Sequence, residues 1–396
     1  MLMKIIVYRY GSIAEPDIIR AFREHGFNVT EYSLEINSKS LSLTEYVRRF
    51  SEFLDANPSD MIFSINFYPF LSEIGRIYHI PYVSWTVDSP VMELYTSSIT
   101  NPYNFTFIFD HEDYAELAPV NPGHIFYLPL AGNVAEKQDV ISAQSDRDRE
   151  RFSHRIAFVG SLYTEKCPYD KLPPDAPAYM RGYLDSLMAA QLLIYGDNFI
   201  ERALNDNVVA DFAKHHPSFY RLPESDGKKT YLTDRMTLAR LYISNKIAAT
   251  ERVSFLKYLS EEMPTDIYTA SDTSVIPKVK NRGLAKSLTE MPIIFADTAV
   301  NLNFTTRAIR SGLPLRIFDI LSSGGFCLTN YQSELTSCFT PGVHLDYFSS
   351  RDELKEKCAY YLAHEKERKE IAAEGLSEVK KNHTWNVRVG QMFQMI

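Results

Sequence analysis

The stretch SGLPLRIFDILSSGGFCLTN, residues 311–330, decides how the second half of the chain is organised. After Pro314, apolar residues at helical spacing predict a short helix with one buried face. Gly324 and Gly325 are typical of a helix end, and the apolar run that follows them predicts a β-strand. Loop amides and the positive end of a helix can bind a diphosphate, and the carboxylate of Asp319, near the helix start, can bind ribose hydroxyls. The stretch therefore predicts a nucleotide site.

Three arginines around the same loop strengthen this interpretation, because guanidinium groups suit bidentate contacts with the two phosphates of a sugar nucleotide. Simpler interpretations exist for each charged residue. Arginines are common on solvated helix faces, and an early-helix acid stabilises the helix dipole by about 0.3–1 kcal/mol. The residues predicted to bind the nucleotide here are Arg307, Arg310, Ser311, Gly312, Leu313, Arg316 and Asp319.

Short apolar strands alternate with helices along most of the chain, which predicts parallel sheets covered on both faces. The predicted strands are Lys4–Tyr8, Val29–Leu34, Met61–Ile65, Tyr82–Val87, Phe105–Phe109, Ile125–Leu128, Ile156–Val159, Asp266–Ala270, Val300–Phe304, Phe326–Thr329 and His344–Tyr347. We predict two Rossmann-like α/β domains whose parallel sheets face a central cleft. The predicted segments are an N-terminal domain 1–133, a polar linker or solvated helix 134–155, a C-terminal domain 156–382 with a helical insertion at about 176–262, and a C-terminal helix 383–396.

Composition and charge exclude several classes of protein. The chain has 396 residues, and its net charge of −8 without a long basic run argues against a nucleic-acid partner. No apolar run approaches the roughly 20 residues that a membrane span needs. The sequence starts with a strand pattern and no signal peptide, and its four cysteines show no CxxC or metal spacing. We therefore expect a cytoplasmic protein with reduced thiols.

Polar residues also follow two predicted strands of the first domain. Asp88 comes just after one strand, and Asp110 and His111 come just after the next. A carboxylate or imidazole in a cleft can deprotonate an acceptor hydroxyl as a general base. The alternative is that each aspartate caps the following turn, and this alternative is strongest for Asp88 because Ser-Pro follows it. Asp88, Asp110 and His111 are the candidate catalytic residues.

Several motifs are missing from the sequence. It has no GxxxxGK[ST] for phosphoryl transfer, no GxGxxG after the first strand for a nicotinamide cofactor, and no GxSxG or HExxH. We expect neither a bound metal nor a cofactor, apart from the nucleotide-sugar as a substrate.

The segment RIFDILSSGGFCLTN, preceded by AVNLNFTTRAIRSGLP and followed by the GVHLDY strand, resembles the C-terminal domain of GT-B glycosyltransferases, and more narrowly the bacterial spore-maturation CgeB-like group. PYVSWTVDSP, FTFIFDH and IFYLPLAGN resemble the N-terminal domain that accompanies it. FVGSLYTEKCPYD resembles the opening of the second domain, which implies that Gly160 lies close to the diphosphate. In related retaining enzymes two acids eight positions apart bind the donor. Asp319 occupies the later, ribose position, and Ser311 replaces the earlier acid.

The resemblance implies a metal-independent hexosyl- or N-acetylhexosaminyl-transferase. Its donor would be a nucleotide-sugar, UDP-linked, and its acceptor a hydroxyl of a glycan or of a protein such as flagellin or a surface component. The C-terminal helix would cross back onto the first domain, anchored by Trp385. Two alternatives stay open: a sugar-nucleotide epimerase of the same fold, and a non-catalytic partner in a glycosylation complex, which the serine at position 311 favours.

Overall fold

The computed structural model describes residues 2–38, 41–222 and 230–396, and these residues form two compact units. The first unit comprises the described residues within Met1–Leu130, Leu222–Leu232 and Trp385–Ile396. The second comprises Ala131–Arg221 and the residues from Thr233 to Thr384.

The first unit is built on a six-stranded parallel sheet. Its strands are β1 Lys4–Tyr8, β2 Asn28–Tyr32, β3 Met61–Ile65, β4 Tyr82–Trp85, β5 Asn104–Ile108 and β6 Ile125–Tyr127. They lie in the order β2-β1-β3-β4-β5-β6, and β3 and β4 are buried on both faces, which explains why they are continuous apolar runs. The α-helices are α1 Glu15–Glu24, α2 Leu34–Asn37, α3 Leu43–Ala56, α4 Pro69–Tyr78, α5 His111–Leu117 and the C-terminal helix, which is α18 Trp385–Met395.

The second unit has its own six-stranded parallel sheet. Its strands are β7 His154–Val159, β8 Asp266–Tyr268, β9 Lys280–Asn281, β10 Thr298–Asn303, β11 Cys327–Asn330 and β12 Asp346–Phe348, in the order β12-β11-β10-β7-β8-β9. The α-helices are α6 Val134–Ser142, α7 Asp146–Phe152, α8 Ala178–Gln191, α9 Ile200–Ala203, α10 Asp206–His215, α11 Asp234–Thr237, α12 Ser244–Ser260, α13 Met291–Asp297, α14 Leu315–Ser322, α15 Leu335–Cys338, α16 Arg351–Ala363 and α17 Glu365–Asn382.

The predicted fold class is confirmed, and every predicted strand is present with ends that differ by at most two residues. The structure adds one strand, β9, whose two residues are exposed and carry no strand pattern. The stretch predicted as a linker or solvated helix, 134–155, folds as two helices, α6 and α7, and the start of β7. Polar sequence forms helices here because the ends are capped: Ser145 and Asp148 make a reciprocal capping box at the start of α7.

The predicted helical insertion corresponds to helices α8–α12 between β7 and β8, and positions 223–229 of it lie outside the described residues. A π-helical stretch, Leu238–Ile243, joins α11 to α12. The insertion has a buried core of its own, which includes Met180, Leu184, Phe212 and Tyr242.

The C-terminal helix α18 packs within the first unit. The centroid of the Trp385 ring lies 5.2 Å from that of the Trp85 ring, and the two rings meet edge to face. Arg388 donates a hydrogen bond from Nε to the Leu130 carbonyl. Trp385 therefore anchors this helix on the first unit.

The stretch 311–330 folds as its pattern predicts: a loop, helix α14, a double-glycine end and strand β11. The amide of Gly324 donates to the Leu321 carbonyl and that of Gly325 to the Ile320 carbonyl, which is a Schellman motif. Gly324 has a φ of +75°, and a Cβ on Gly325 would lie 2.3 Å from the Phe295 carbonyl oxygen. Only glycine fits both positions without strain.

Candidate functional site

The carboxyl ends of β7, β10 and β11 lie side by side at one edge of the second sheet, because these parallel strands are neighbours. In open parallel sheets, ligands bind at this edge. Three loops leave it: residues 160–163 after β7, residues 304–314 after β10 and residues 331–334 after β11. All of the predicted nucleotide-binding residues lie on the first two of these loops or on α14, which follows the second loop.

The loop after β7 is held in one conformation by hydrogen bonds. The Gly160 amide donates to the Tyr268 carbonyl, the Leu162 amide to the Ser271 hydroxyl at 2.8 Å, and the Tyr163 amide to the Ser161 hydroxyl at 2.8 Å. Tyr163 has a left-handed φ of +63°, which is uncommon for a residue with a side chain. The turn at Gly160 is therefore preorganised.

Arg252, on α12, lies beneath this loop and was not among the predicted residues. Its Nη1 donates to the Ser161 carbonyl at 2.7 Å and its Nη2 to the Phe304 carbonyl at 2.5 Å, so one guanidinium joins two of the loops. The centroid of the Tyr163 ring lies 4.5 Å from the guanidinium carbon. The Nε is buried without a hydrogen-bond partner among the described residues.

Arg252 is 8% exposed, and no carboxylate of the described residues lies within ion-pair distance of its charge. Burial is the main cause that lowers its pKa. Tyr163 and Glu251 oppose this effect, and the guanidinium of Arg316 adds to it. Burying a charge without a paired counter-ion is costly. An anion bound beside Arg252 would remove this cost.

Arg307, in contrast, already has a counter-ion. Its Nη2 lies 3.0 Å from the Glu251 carboxylate, and both side chains are almost fully buried. Tyr195 donates a hydrogen bond of 2.7 Å to the same carboxylate, and the centroid of its ring lies 4.3 Å from the Arg307 guanidinium carbon. The backbone carbonyl of Arg307 accepts from Asn198. The predicted role of Arg307 in nucleotide binding stays a prediction, and its observed contacts are those of a buried ion pair.

Asp319 lies between two cations. Its carboxylate is 2.5 Å from Lys137 Nζ on α6 and 3.4 Å from Arg316 Nη1, and the Arg316 guanidinium lies over the Phe295 ring. Burial alone would raise the pKa of Asp319, but Lys137 and Arg316 hold it below its ordinary value. Asp319 is the fifth residue of the eight in α14, so it lies in the second turn and not near the helix start.

Ser311 and Gly312, in the loop after β10, contact the loop after β11. The Ser311 hydroxyl donates a hydrogen bond to the Glu334 carboxylate, and the Ser311 carbonyl accepts one from the Glu334 amide. Gln332 donates to the Gly312 carbonyl at 3.2 Å. Leu313 is buried, and Arg310 is half-buried. Glu334, which was not among the predicted residues, places a carboxylate directly beside the serine at position 311.

In the first unit, Asp88 belongs to an exposed polar cluster at the carboxyl ends of β1, β3 and β4. Its carboxylate accepts from Asn66 Nδ2 at 2.7 Å and from the Tyr10 hydroxyl at 3.2 Å. Asn66 has a left-handed φ of +58°, and its own side-chain oxygen accepts from the Val87 amide. The carboxylate of Asp88 is therefore held in place and open to solvent.

Asp110 is fully buried and caps α5, where it accepts from the amides of Glu112 and Asp113. The capping alternative thus applies to Asp110, whereas the sequence favoured it for Asp88. His111 is the exposed first residue of α5, and the centroid of its ring lies 5.2 Å from that of Tyr127. The catalytic role of each residue stays a prediction.

Two further observations concern the described residues only. None of their helices is both long and apolar enough to span a membrane. Within the same ranges, no group of three or more His, Cys, Asp or Glu side chains is arranged to hold a metal ion. The four cysteines, all of which lie in these ranges, form no disulfide.

Comparisons with known proteins agree with the fold. Residues 252–394, just over a third of the chain, match the model of a family described as "Glycosyl transferase-like". The sequence has no significant match among curated proteins. The structure is similar to that of HepE from Anabaena, solved with UDP and glucose, with a TM-score of 0.52 and 11% identity over 100% of both chains.

The fold is GT-B. A sucrose-phosphate synthase from Thermosynechococcus elongatus is also similar, with a TM-score of 0.53 and 11% identity over 99% of this chain and 98% of that one. A glycosyltransferase from Rickettsia africae gives a TM-score of 0.54 and 8% identity over 100% of this chain and 97% of that one. The narrower resemblance to the CgeB-like group stays a prediction.

Proposed function

We propose that this chain is a metal-independent glycosyltransferase. It moves a hexosyl or N-acetylhexosaminyl group from a nucleotide-sugar, UDP-linked, to a hydroxyl of a glycan or protein acceptor. The family match over residues 252–394 supports a sugar-transferring enzyme, and similarity to a protein solved with UDP and glucose supports the choice of nucleotide.

The observation that carries the proposal is the unpaired guanidinium of Arg252 beneath the Gly160 turn. A diphosphate at this edge would supply the missing counter-charge, and the Nε of Arg252 would gain an acceptor. Arg316, the second residue of the helix that follows the loop after β10, would bind the same group. Positive charge aimed at the diphosphate would stabilise the negative charge that develops as UDP departs.

Asp319 would then position the cations. Both of its carboxylate oxygens already contact a cation, Lys137 on one side and Arg316 on the other. A ribose hydroxyl that binds Asp319 would have to share these oxygens with Lys137 and Arg316.

Asp88 is the candidate general base if the sugar is transferred with inversion. It is exposed and held by Asn66 and Tyr10, whereas Asp110 is occupied as a helix cap. A base must reach the hydroxyl proton directly, and an exposed, oriented carboxylate meets this requirement better than a buried cap does.

The test is nucleotide binding, measured as a thermal shift with UDP, GDP, ADP and CMP. A ligand at 100 times its dissociation constant adds about 2.7 kcal/mol of stability, so binding of UDP gives a clear shift. Arg316→Gln removes a charge-assisted contact of about 1.5–3 kcal/mol and should weaken UDP binding about tenfold to hundredfold. Arg351→Gln is the matched control, because Arg351 also lies in the first turn of a helix and over an aromatic ring, that of Tyr258.

Absence of a shift with all four nucleotides would refute the donor site. Equal UDP affinity in both arginine variants would remove Arg316 from it. A product assay then separates the alternatives: a transferase releases UDP only with an acceptor, an epimerase converts the UDP-sugar alone, and a non-catalytic partner does neither.

A further inference from the structure

A cavity lies at the amino ends of the strands of the second sheet, opposite the predicted donor site. It has a volume of about 500 Å³ and is lined by the starts of β7 and β10, the C-terminal end of α13, Gly324 after α14, and the first turns of α17. Small-molecule sites typically have volumes of about 300–1,000 Å³. The cavity is therefore large enough for a compact metabolite, and its lining shares no residue with the predicted donor site.

Two arginines of this cavity have no carboxylate partner among the described residues. Arg155 is exposed, although it is the second residue of a central strand whose other residues are buried. Arg368 is 9% exposed and donates from Nη1 to the Tyr361 carbonyl at 2.5 Å. This bond caps the end of α16 and uses one of the five N–H groups of the guanidinium. The other N–H groups of Arg368 are available to a ligand in the cavity.

The other charged groups leave the cavity positive. Lys369 pairs with Glu365 at 2.6 Å, so these two charges cancel. Asp297 is the second acid, and burial raises its pKa. His154 also lines the cavity, but its ring nitrogens face Tyr268 and Asp266. Three cationic side chains thus face two carboxylates, and the first turns of α17 add the positive end of a helix.

We propose that this cavity is a second binding site, held by Arg155 and Arg368, for a phosphate group that is carried by a small phosphomonoester or free as inorganic phosphate. The group provides two negative charges and several acceptor oxygens for two guanidinium groups. The volume accommodates a sugar-sized body attached to it. The proposal does not depend on the proposed glycosyl transfer.

Titration calorimetry of the full chain tests it, with inorganic phosphate and with glucose 6-phosphate at constant ionic strength. Saturating UDP keeps the donor site filled, so that the probes report on the second site. The wild type should bind one molecule of glucose 6-phosphate. Arg155→Gln should weaken this binding about tenfold and leave UDP affinity unchanged. Arg147→Gln, which alters an exposed arginine on α7, is the matched control and should bind as the wild type does.

Binding of phosphate but not of glucose 6-phosphate would support the site and identify inorganic phosphate as its ligand. Absence of binding for both probes, or an equal loss in Arg155→Gln and Arg147→Gln, would overturn the proposal. If UDP itself does not bind, the proposed function fails, while the same comparison of variants without UDP still decides the second site. Because Arg155 is exposed, its replacement should leave the unfolding temperature unchanged.

Discussion

Glu251→Gln tests whether Arg307 is a structural ion-pair partner or a donor-binding residue. The substitution keeps the shape of the side chain and removes the only carboxylate within ion-pair distance of Arg307 that the described residues provide. Removing one partner of a buried pair costs about 3–5 kcal/mol, because the other charge stays buried without compensation. For a unit of this size, each kcal/mol lowers the midpoint by about 2–4 °C, so we expect a decrease of about 6–20 °C.

Differential scanning calorimetry of the full chain measures this decrease. Tyr195→Phe serves as a graded control, since it removes one hydrogen bond to the same carboxylate and should cost less, about 1.5–3 kcal/mol. The double variant Glu251→Gln with Arg307→Met removes both charges and should recover much of the loss. It should also still bind UDP.

A Glu251→Gln midpoint within about 2 °C of the wild type, less than the shift from a single kcal/mol, would refute the reasoning about burial. A double variant that is as stable as the wild type yet no longer binds UDP would show that Arg307 contacts the donor, as its place in the sequence predicted.

Three further predictions concern other parts of the chain. Asp88→Asn should lower acceptor-dependent UDP release about 10²–10⁴-fold while UDP affinity stays the same, and an unchanged rate would exclude Asp88 as the base. Gly325→Ala should lower the unfolding midpoint because its Cβ would meet the Phe295 carbonyl at 2.3 Å, a clash that costs about 1–3 kcal/mol or more. Gly182→Ala is the control: a Cβ at this position in α8 would meet no other atom, so the variant should be more stable by about 0.5–1 kcal/mol. If both variants raised or both lowered the unfolding midpoint, the packing described around Gly325 would be contradicted. The pKa of Asp319 is lower in the folded chain than its unfolded value of about 3.9, so its ion pairs stabilise the fold fully above about pH 3.9 and are lost as the pH falls through the folded pKa. Asp319→Asn should therefore flatten the decline in the free energy of unfolding below about pH 4. Urea unfolding across that pH range measures this decline.

The fold was predictable because each long strand can be identified from the apolar pattern of its own residues. β3 and β4 are buried on both faces, and a continuous apolar run between helical patterns leaves few alternatives. β9 was missed because both of its residues are exposed and have no apolar pattern. The helices α6 and α7 were predicted as a linker or a solvated helix because their outward faces are polar. They are stabilised by helix caps and by contacts with distant residues, such as that of Lys137 with Asp319.

The site was only partly predictable, because its chemistry depends on partners far apart in sequence. The positions of the strand ends predicted a ligand site at the loop after β10. The burial and the ion pairs of the arginines in this loop cannot be derived from the spacing of those arginines in the sequence. Arg252 lies within a helical pattern and binds backbone carbonyls 91 and 52 positions away, which leave no trace in the side-chain sequence. Position 311 holds no acid, whereas the structure places the carboxylate of Glu334 beside it from the loop after the next strand.

Glu251 and Arg252 are consecutive residues of α12 that contact different partners. This difference explains why Arg252, and not Arg307, is available to an anion. Consecutive helix residues point about 100° apart, so Glu251 reaches Arg307 while Arg252 turns toward the Gly160 loop. The charge of Glu251 is paired and stabilises the unliganded chain, whereas the charge of Arg252 is buried without a paired counter-ion and becomes favourable only when an anion binds.

Arg252→Gln should therefore behave as the reverse of Glu251→Gln. Losing the hydrogen bonds to the Ser161 and Phe304 carbonyls destabilises the loops, but removing a buried charge offsets part of this cost, so the midpoint should fall less than in Glu251→Gln. UDP affinity should fall about tenfold to hundredfold, because a charge-assisted contact of about 1.5–3 kcal/mol is lost. Calorimetry of unfolding and of UDP binding on both variants measures the two effects separately. A larger loss of stability in Arg252→Gln than in Glu251→Gln, together with unchanged UDP affinity, would show that Arg252 only braces the loops and that the diphosphate binds elsewhere.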